Sequence, residues 1–178
     1  MALAYPDPPL HDGTIVLRRW KRSDLDCVRE ATTDPRIRAG TTVPAVFTFE
    51  AAHEYIERQW GRVEHGDGLS LAIADAHTDD ARGYAGLTLR PQPGVAGIGY
   101  WVVPRARNRG YATRAVRLLS AWALSEAGMA RVEAWVEPRN VASQRVVTAA
   151  GFAREGVLRS FLVLGERRAD AVVFSRTA

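Results

Sequence analysis

The stretch RARNRGYATRAVRLL, Arg105 to Leu119, sets five arginines around one glycine, Gly110, with no acidic residue in the window. A helix-like apolar pattern begins on its C-terminal side. The N-terminus of a helix is already the positive end of the backbone dipole, so added positive charge is unfavourable there unless an anion answers it. A strand, a short loop and a glycine at the mouth of a helix can hold phosphate. Free main-chain N–H groups and the dipole both favour negative charge, and glycine lets the backbone come close. Arg107, Arg109 and Arg114 could add charge-assisted bonds. The string is neither a G-x-x-x-x-G-K-S/T nucleoside-triphosphate loop nor a G-x-G-x-x-G dinucleotide fingerprint. Taken alone it also reads as a helix start with a solvated basic face.

Other reactive side chains point to less. Cys27 falls in a helical pattern with no His or Asp arranged around it and reads as a core thiol. His11, His53, His65 and His77 lack ligand spacing, so no metal is expected. DAHTDD reads as a solvated loop, since a calcium site would need further ligands and a tight glycine turn. Tyr100 and Trp101 could line a pocket or simply fill the core.

These residues have to be held by a single domain. The chain's 178 residues suffice for one domain with a full core, spanning 1–178, with 1–12 as an extended, proline-stiffened leader. The sequence is 47% hydrophobic and 25% charged, an ordinary globular balance. No apolar run approaches the roughly 18 residues a membrane span needs, so no membrane partner is expected. MALAYPDPPLHDG lacks the basic start and apolar block of a secretory signal, and the lone cysteine suits a reducing compartment. The expected location is cytoplasmic. A net charge of +4 and a pI near 9.7 suggest anionic partners without choosing among them. A nucleic-acid binder would want stacking aromatics beside the arginines, and only Tyr111 qualifies, so nucleic acid is disfavoured.

Pattern and punctuation give the elements. GTIVLRRW (13–20) reads as a strand, followed by a helix capped by Ser23 or Asp24 that turns Leu25, Val28 and Ala31 inward. PRIRAGTTVPAVFTF reads as irregular. A second helix, EAAHEYIERQWGRVEH, gathers Ala52, Tyr55, Ile56, Trp60 and Val63 near one face. LSLAIAD and GYAGLTL alternate as a hairpin, and VAGIGYWVV is a further strand ending at Pro104. A helix from about Gly110 to Ala127 carries an apolar stripe and stops at Gly128. ARVEAWVE is a strand, VASQRVVTAA a short helix, and FLVLGERRADAVVFSR a closing hairpin. The order predicts an α/β domain with a mixed sheet and a parallel crossover over 95–137.

PRARNRGYA fits P-x-x-R/Q-x-x-G-x-A/G, the pyrophosphate loop of the GNAT family of acyl-coenzyme A-dependent N-acyltransferases. Further on come NVAS, then GF (151–152) and EG (155–156), while TIVLRRWKRSDLD opens the chain. Together these resemble the ribosomal-protein N-terminal (alanine/serine) acetyltransferase branch, over residues 13 to 176. The resemblance implies a central sheet of about seven strands and about four helices, with the strands at 95–103 and 131–137 splayed apart. It further implies acetyl-coenzyme A as acyl donor and an amine acceptor. The backbone of Arg107, Asn108, Arg109, Gly110, Tyr111, Ala112 and Thr113 would cradle the pyrophosphate, supplying the counter-charge the window lacks. Val102 and Val103 would pair with the pantetheine arm, and Asn140 would hold it by its amide.

Making an amide from a thioester needs a neutral amine, a donor for the developing oxyanion and a proton for the departing thiolate. The family implies a main-chain N–H near Val102 or Val103 as the oxyanion donor. The tyrosine that many relatives place seven residues after the Asn is Val147 here. Ser143 matches the branch's serine, as proton donor or thiolate partner, or else merely caps or fills the turn that follows Asn140. The strand position where some relatives carry a carboxylate is Trp135, flanked on the same face by Glu133 and Glu137 as candidate bases or surface charges. An α-amine with a pKa near 8 needs less help than a lysine amine near 10.4, which favours a protein or peptide N-terminus as acceptor. A small-molecule amine such as an antibiotic, or a non-catalytic acyl-coenzyme A sensor, stays open. So does the oligomeric state, a homodimer included.

Overall fold

The computed structural model describes residues 3–178. Their strands form one sheet in the order β1-β2-β3-β4-β5-β6-β8-β7. β1 (Leu10–His11) and β2 (Ile15–Arg18) lead to α1 (Leu25–Thr32), α2 (Pro35–Ala39) and α3 (Phe49–Glu64). β3 (Gly68–Asp75), β4 (Ala81–Leu89) and β5 (Val95–Val102) follow as an antiparallel meander. α4 (Tyr111–Ser125) crosses over to β6 (Arg131–Val136), which runs parallel to β5 as the strand–helix–strand pattern predicts. α5 (Val141–Ala149) and the hairpin of β7 (Ala153–Leu164) and β8 (Arg167–Thr177) complete the chain.

The described residues thus hold eight strands and five α-helices, one more of each than the sequence suggested. The extra strand is β1, inside the leader: Leu10 pairs with Leu17 and His11 with Val16. The extra helix is α2, in the segment read as irregular. Pro35 stands in its first turn, where a missing N–H costs nothing, and Asp34 accepts the Arg36 N–H at 2.8 Å. β7 starts at Ala153 rather than Phe161 because it is an edge strand with both faces largely exposed.

The end of β2 and the start of α1 are locked by a buried ion pair. Arg18 donates through both terminal nitrogens to Asp24, each at 2.9 Å, and through Nε to Asp79. Asp24 is thereby taken up and does not cap α1 with its side chain.

The sheet matters to function where it fails to pair. β5 and β6 share only the pairs Val95–Arg131, Ala96–Val132 and Gly97–Glu133, although both strands run on beyond them. Past Gly97 the two strands diverge. Gly99 is exposed in the middle of the sheet, as only an opening there allows.

Candidate functional site

At the mouth of α4, Asn108 and Gly110 adopt left-handed conformations, with φ of 60° and 78°. Such alternation turns successive N–H groups to one side and makes an anion-holding concavity. Among the described residues, the N–H groups of Asn108, Arg109, Gly110, Tyr111, Ala112 and Thr113 have no hydrogen-bond acceptor. Arg107 differs, because its N–H goes to Pro104 O at 3.2 Å. The run of free amides therefore spans Asn108 to Thr113 and leaves out Arg107.

The arginine side chains are placed otherwise than the window suggests. Arg105 pairs with Glu30 at 2.9 Å, Arg114 with Asp12 at 2.7 Å, and Arg107 with Asp34. Arg117 donates to Ala149 O at 2.7 Å. Most of the missing counter-charge is supplied by acids far away in sequence. Arg109 alone of the five has no partner among the described residues. Arg107 also donates from Nε to Val102 O at 3.3 Å, so it pins the loop to the end of β5.

Val103 gives its N–H to Arg82 O at 2.9 Å. Since N–H groups alternate between the two edges of an antiparallel strand, the Val102 N–H points into the gap. Val103 is thus turned away. Across the opening, Asn140 caps α5 by accepting the Ser143 N–H on Oδ1 at 3.1 Å. Capping therefore belongs to Asn140. The Ser143 hydroxyl instead meets the Tyr100 hydroxyl, 2.6 Å away, and Tyr100 OH also reaches Ser143 O at 3.2 Å. Burial pushes the Tyr100 phenol up to about 12, opposed in part by the Ser143 bond, so it is a neutral O–H at physiological pH. Tyr100 was legible only as a pocket or core residue; nothing in the sequence placed it against Ser143.

The two candidate bases are both engaged. Glu133 accepts from Arg131 Nε at 2.7 Å at the foot of the gap. Glu137 accepts from Arg167 at 2.9 Å and from Arg139, and those two guanidiniums hold its carboxyl below the usual range. The structure thus brings Val102, Tyr100 and Ser143 to the gap, while Glu133 and Glu137 sit in ion pairs. Cys27 is buried, and burial pushes its thiol up. Among the described residues no group of His, Cys, Asp and Glu is placed to hold a metal.

The cradle is braced from β3. Tyr111, in the first turn of α4, donates its hydroxyl to Asp75, which also accepts the His77 and Thr78 N–H groups. Tyr111 first, then those amides, lower the Asp75 carboxyl to about 2. A depressed carboxyl stabilises the fold above its unfolded value of about 3.9 and loses that contribution as pH falls through about 2. Asp75 is partly exposed, so Tyr111→Phe should cost about 1 kcal/mol at pH 6. Urea unfolding should show that difference shrinking by pH 3 and gone near pH 2. A difference unchanged down to pH 2 would mean the hydroxyl acts otherwise.

The sequence matches the acetyltransferase (GNAT) domain over residues 14–153. It is 26% identical over 167 residues to an uncharacterized N-acetyltransferase of Bacillus licheniformis, covering 93% of this chain and 94% of that one. Among solved structures, a ribosomal L7/L12 alpha-N-protein acetyltransferase in complex with coenzyme A superposes with a TM-score of 0.79 at 17% identity, over 93% and 95% of the two chains. A ribosomal-protein-S5-alanine acetyltransferase from Vibrio fischeri gives 0.77 at 20% identity, over 95% and 96%. No helix among the described residues is long and apolar enough to cross a membrane.

Proposed function

The chain belongs to the GNAT acetyltransferase family, and from that premise we propose that it moves an acetyl group from acetyl-coenzyme A to the α-amine of a protein or peptide by direct attack in a ternary complex. The observation that carries this reading is the set of unpartnered amides from Asn108 to Thr113, beside a gap between two diverging strands. The residues present fit the donor. Six free N–H groups and the α4 dipole suit a diphosphate, with unpaired Arg109 beside them. The Asn140 amide has its NH2 end left over from capping, available to a carbonyl of the pantetheine arm. The named acetyltransferases of ribosomal proteins that share the fold support a protein N-terminus as acceptor.

When bound, acetyl-coenzyme A supplies the activated acyl group. The Val102 N–H in the gap stabilises negative charge developing on the acyl oxygen. Ser143, held by Tyr100, donates its proton to the sulfur as the carbon–sulfur bond breaks and is reprotonated from solvent, which takes up the proton the amine loses. The attacking amine arrives neutral and loses its second proton to solvent, because Glu133 and Glu137 are tied to arginines. An acceptor whose own pKa lies near 8 suits a site without a strong base, and a lysine near 10.4 does not. Polycationic acceptors fit poorly, since Arg131 answers both Glu133 and Glu155.

The test is thiol release from acetyl-coenzyme A across peptides with a free α-amine, the same peptides with a blocked N-terminus and an internal lysine, and polyamines. Turnover is expected with the first set only. The rate should rise with pH through about 8, following the amine. Faster turnover of polyamines would overturn the acceptor assignment.

A further inference from the structure

On the face of the sheet away from α5, an open groove of about 820 Å³ runs down from the gap, lined in part by Arg90, Val95, Trp135, Val157, Leu158 and Phe161. The faces are fixed by contacts. Tyr100 reaches α5, so even-numbered β5 residues face that side; Gly97 and Trp101 face the other, where Trp20 joins Trp101 to Tyr55 of α3. Trp135 lies on β6 two residues beyond Glu133, in the last pair before the strands part, so its ring flanks the opening. If the acyl group enters the gap from the α4–α5 side, this groove is the approach left to the amine on the other face.

One side chain in the groove lacks a partner. Arg90 lies over Trp135, its guanidinium carbon 3.6 Å from the ring centre, and Phe161 stands edge-on to the same ring at 4.6 Å. The Arg90 Nε is buried without an acceptor, and the guanidinium makes no ion pair or side-chain hydrogen bond among the described residues. Glu133 attracts it only from a distance, too weakly to undo the cost of burial. The nearby acids are already taken: Glu133 accepts from Arg131, and Glu155 from Arg131 and Ser175. With Nε shut in and no acid of the chain paired to the guanidinium, its terminal nitrogens are the donors left to a partner from the groove. The backbone is shaped for this guanidinium, since a Cβ on Gly97 would come within 2.3 Å of its terminal nitrogen.

We propose that Arg90, stacked on Trp135, is an anion-recognition subsite that takes a side-chain carboxylate of the acceptor, so that the enzyme prefers N-termini with an acidic residue close behind the α-amine. The inference rests on the α-amine reading above and adds the substrate class. A planar guanidinium with free donors pairs bidentately with a carboxylate, and Val157, Leu158 and Phe161 give the groove an apolar lining beside it.

The test has two arms. In the first, kcat/KM is compared for Ser-initiated peptides with Glu, Gln or Lys at the second, third or fourth position. At one of these positions Glu should exceed Gln by about tenfold or more, through KM, with Lys lower still. In Arg90→Gln the Glu advantage should fall to within about twofold, with KM for acetyl-coenzyme A unchanged. Gly97→Ala keeps the charge but takes its seat, and should lose the same advantage. In the second arm, N-acetyl-Glu and N-acetyl-Gln amides are titrated calorimetrically into the coenzyme A-loaded protein, which reads the subsite without turnover. Equal binding of the two by the wild-type protein, or a Glu preference that survives Arg90→Gln, overturns the subsite. Absence of peptide turnover, with Glu still bound selectively, overturns the acceptor reading and leaves the subsite standing.

Discussion

Replacing Gly110 with Asp should weaken coenzyme A binding by about 100-fold or more while the protein stays folded. The residue is at the N-cap of α4 with φ of 78°, a conformation that Asp visits more readily than most residues. Space is not the obstacle, since an added Cβ would meet only Arg114 Nε, at 3.7 Å. The carboxylate would stand beside the free N–H groups of the first turn of α4 and draw hydrogen bonds from them, although the left-handed backbone differs from the extended one of an ordinary Asp N-cap. The anion site would then be filled from within, and a second anion would meet like charge. The helix gains from the change that costs the ligand its cradle, so thermal stability should fall little or not at all. Gly110→Ala separates the causes. It carries the backbone strain, about 1 kcal/mol, without the charge, and should lose about tenfold at most. Calorimetry with coenzyme A and a melting curve for each variant decide the matter. An Asp variant binding within tenfold of wild type would end the cradle assignment, and an Ala variant as weak as Asp would assign the loss to backbone geometry.

The glycine at the mouth of α4 was legible in the sequence because its setting is local. A strand, a proline, a glycine and an apolar stripe follow one another within a few turns of chain, and each carries its own signal. The parallel crossover and the long helices α3 and α4 were legible for the same reason. What could not be read is whatever joins distant segments. Glu30, Asp34 and Asp12 reach the arginine stretch from the far end of the chain, so a window without acids gave a false impression of uncompensated charge. Arg90 and Trp135 lie on different strands, and only the fold stacks them. Most of β7 was missed for another reason. An edge strand exposed on both faces has no alternation to display, so its burial leaves no period in the sequence. α2 was the avoidable miss, since Asp34 followed by Pro35 is a helix-start signal in its own right.

Ser143→Ala should lower kcat by about 100-fold, within the range for loss of a positioned proton donor, and leave KM for acetyl-coenzyme A within a few-fold. The hydroxyl does not cap α5, because Asn140 does, so its removal should spare the helix. Its observed partner is Tyr100, at 2.6 Å. Burial keeps that phenol protonated, with its pKa pushed up to about 12; either hydroxyl can donate in this pair, and when the phenol does so the serine O–H is left to point into the gap. A positioning role for Tyr100 is what the next variant tests. Tyr100→Phe keeps the ring and its packing, frees the serine hydroxyl to turn elsewhere, and should cost about tenfold in kcat with little change in KM. If the two hydroxyls work as one unit, the double variant will be no slower than Ser143→Ala alone. Multiplying penalties would instead mean two separate contributions, and wild-type turnover in Ser143→Ala would remove the serine from the chemistry. The usual tyrosine position holds Val147, fully buried, so no phenol there can substitute. In this chain the phenol that reaches Ser143 stands on β5, on the opposite side of the gap.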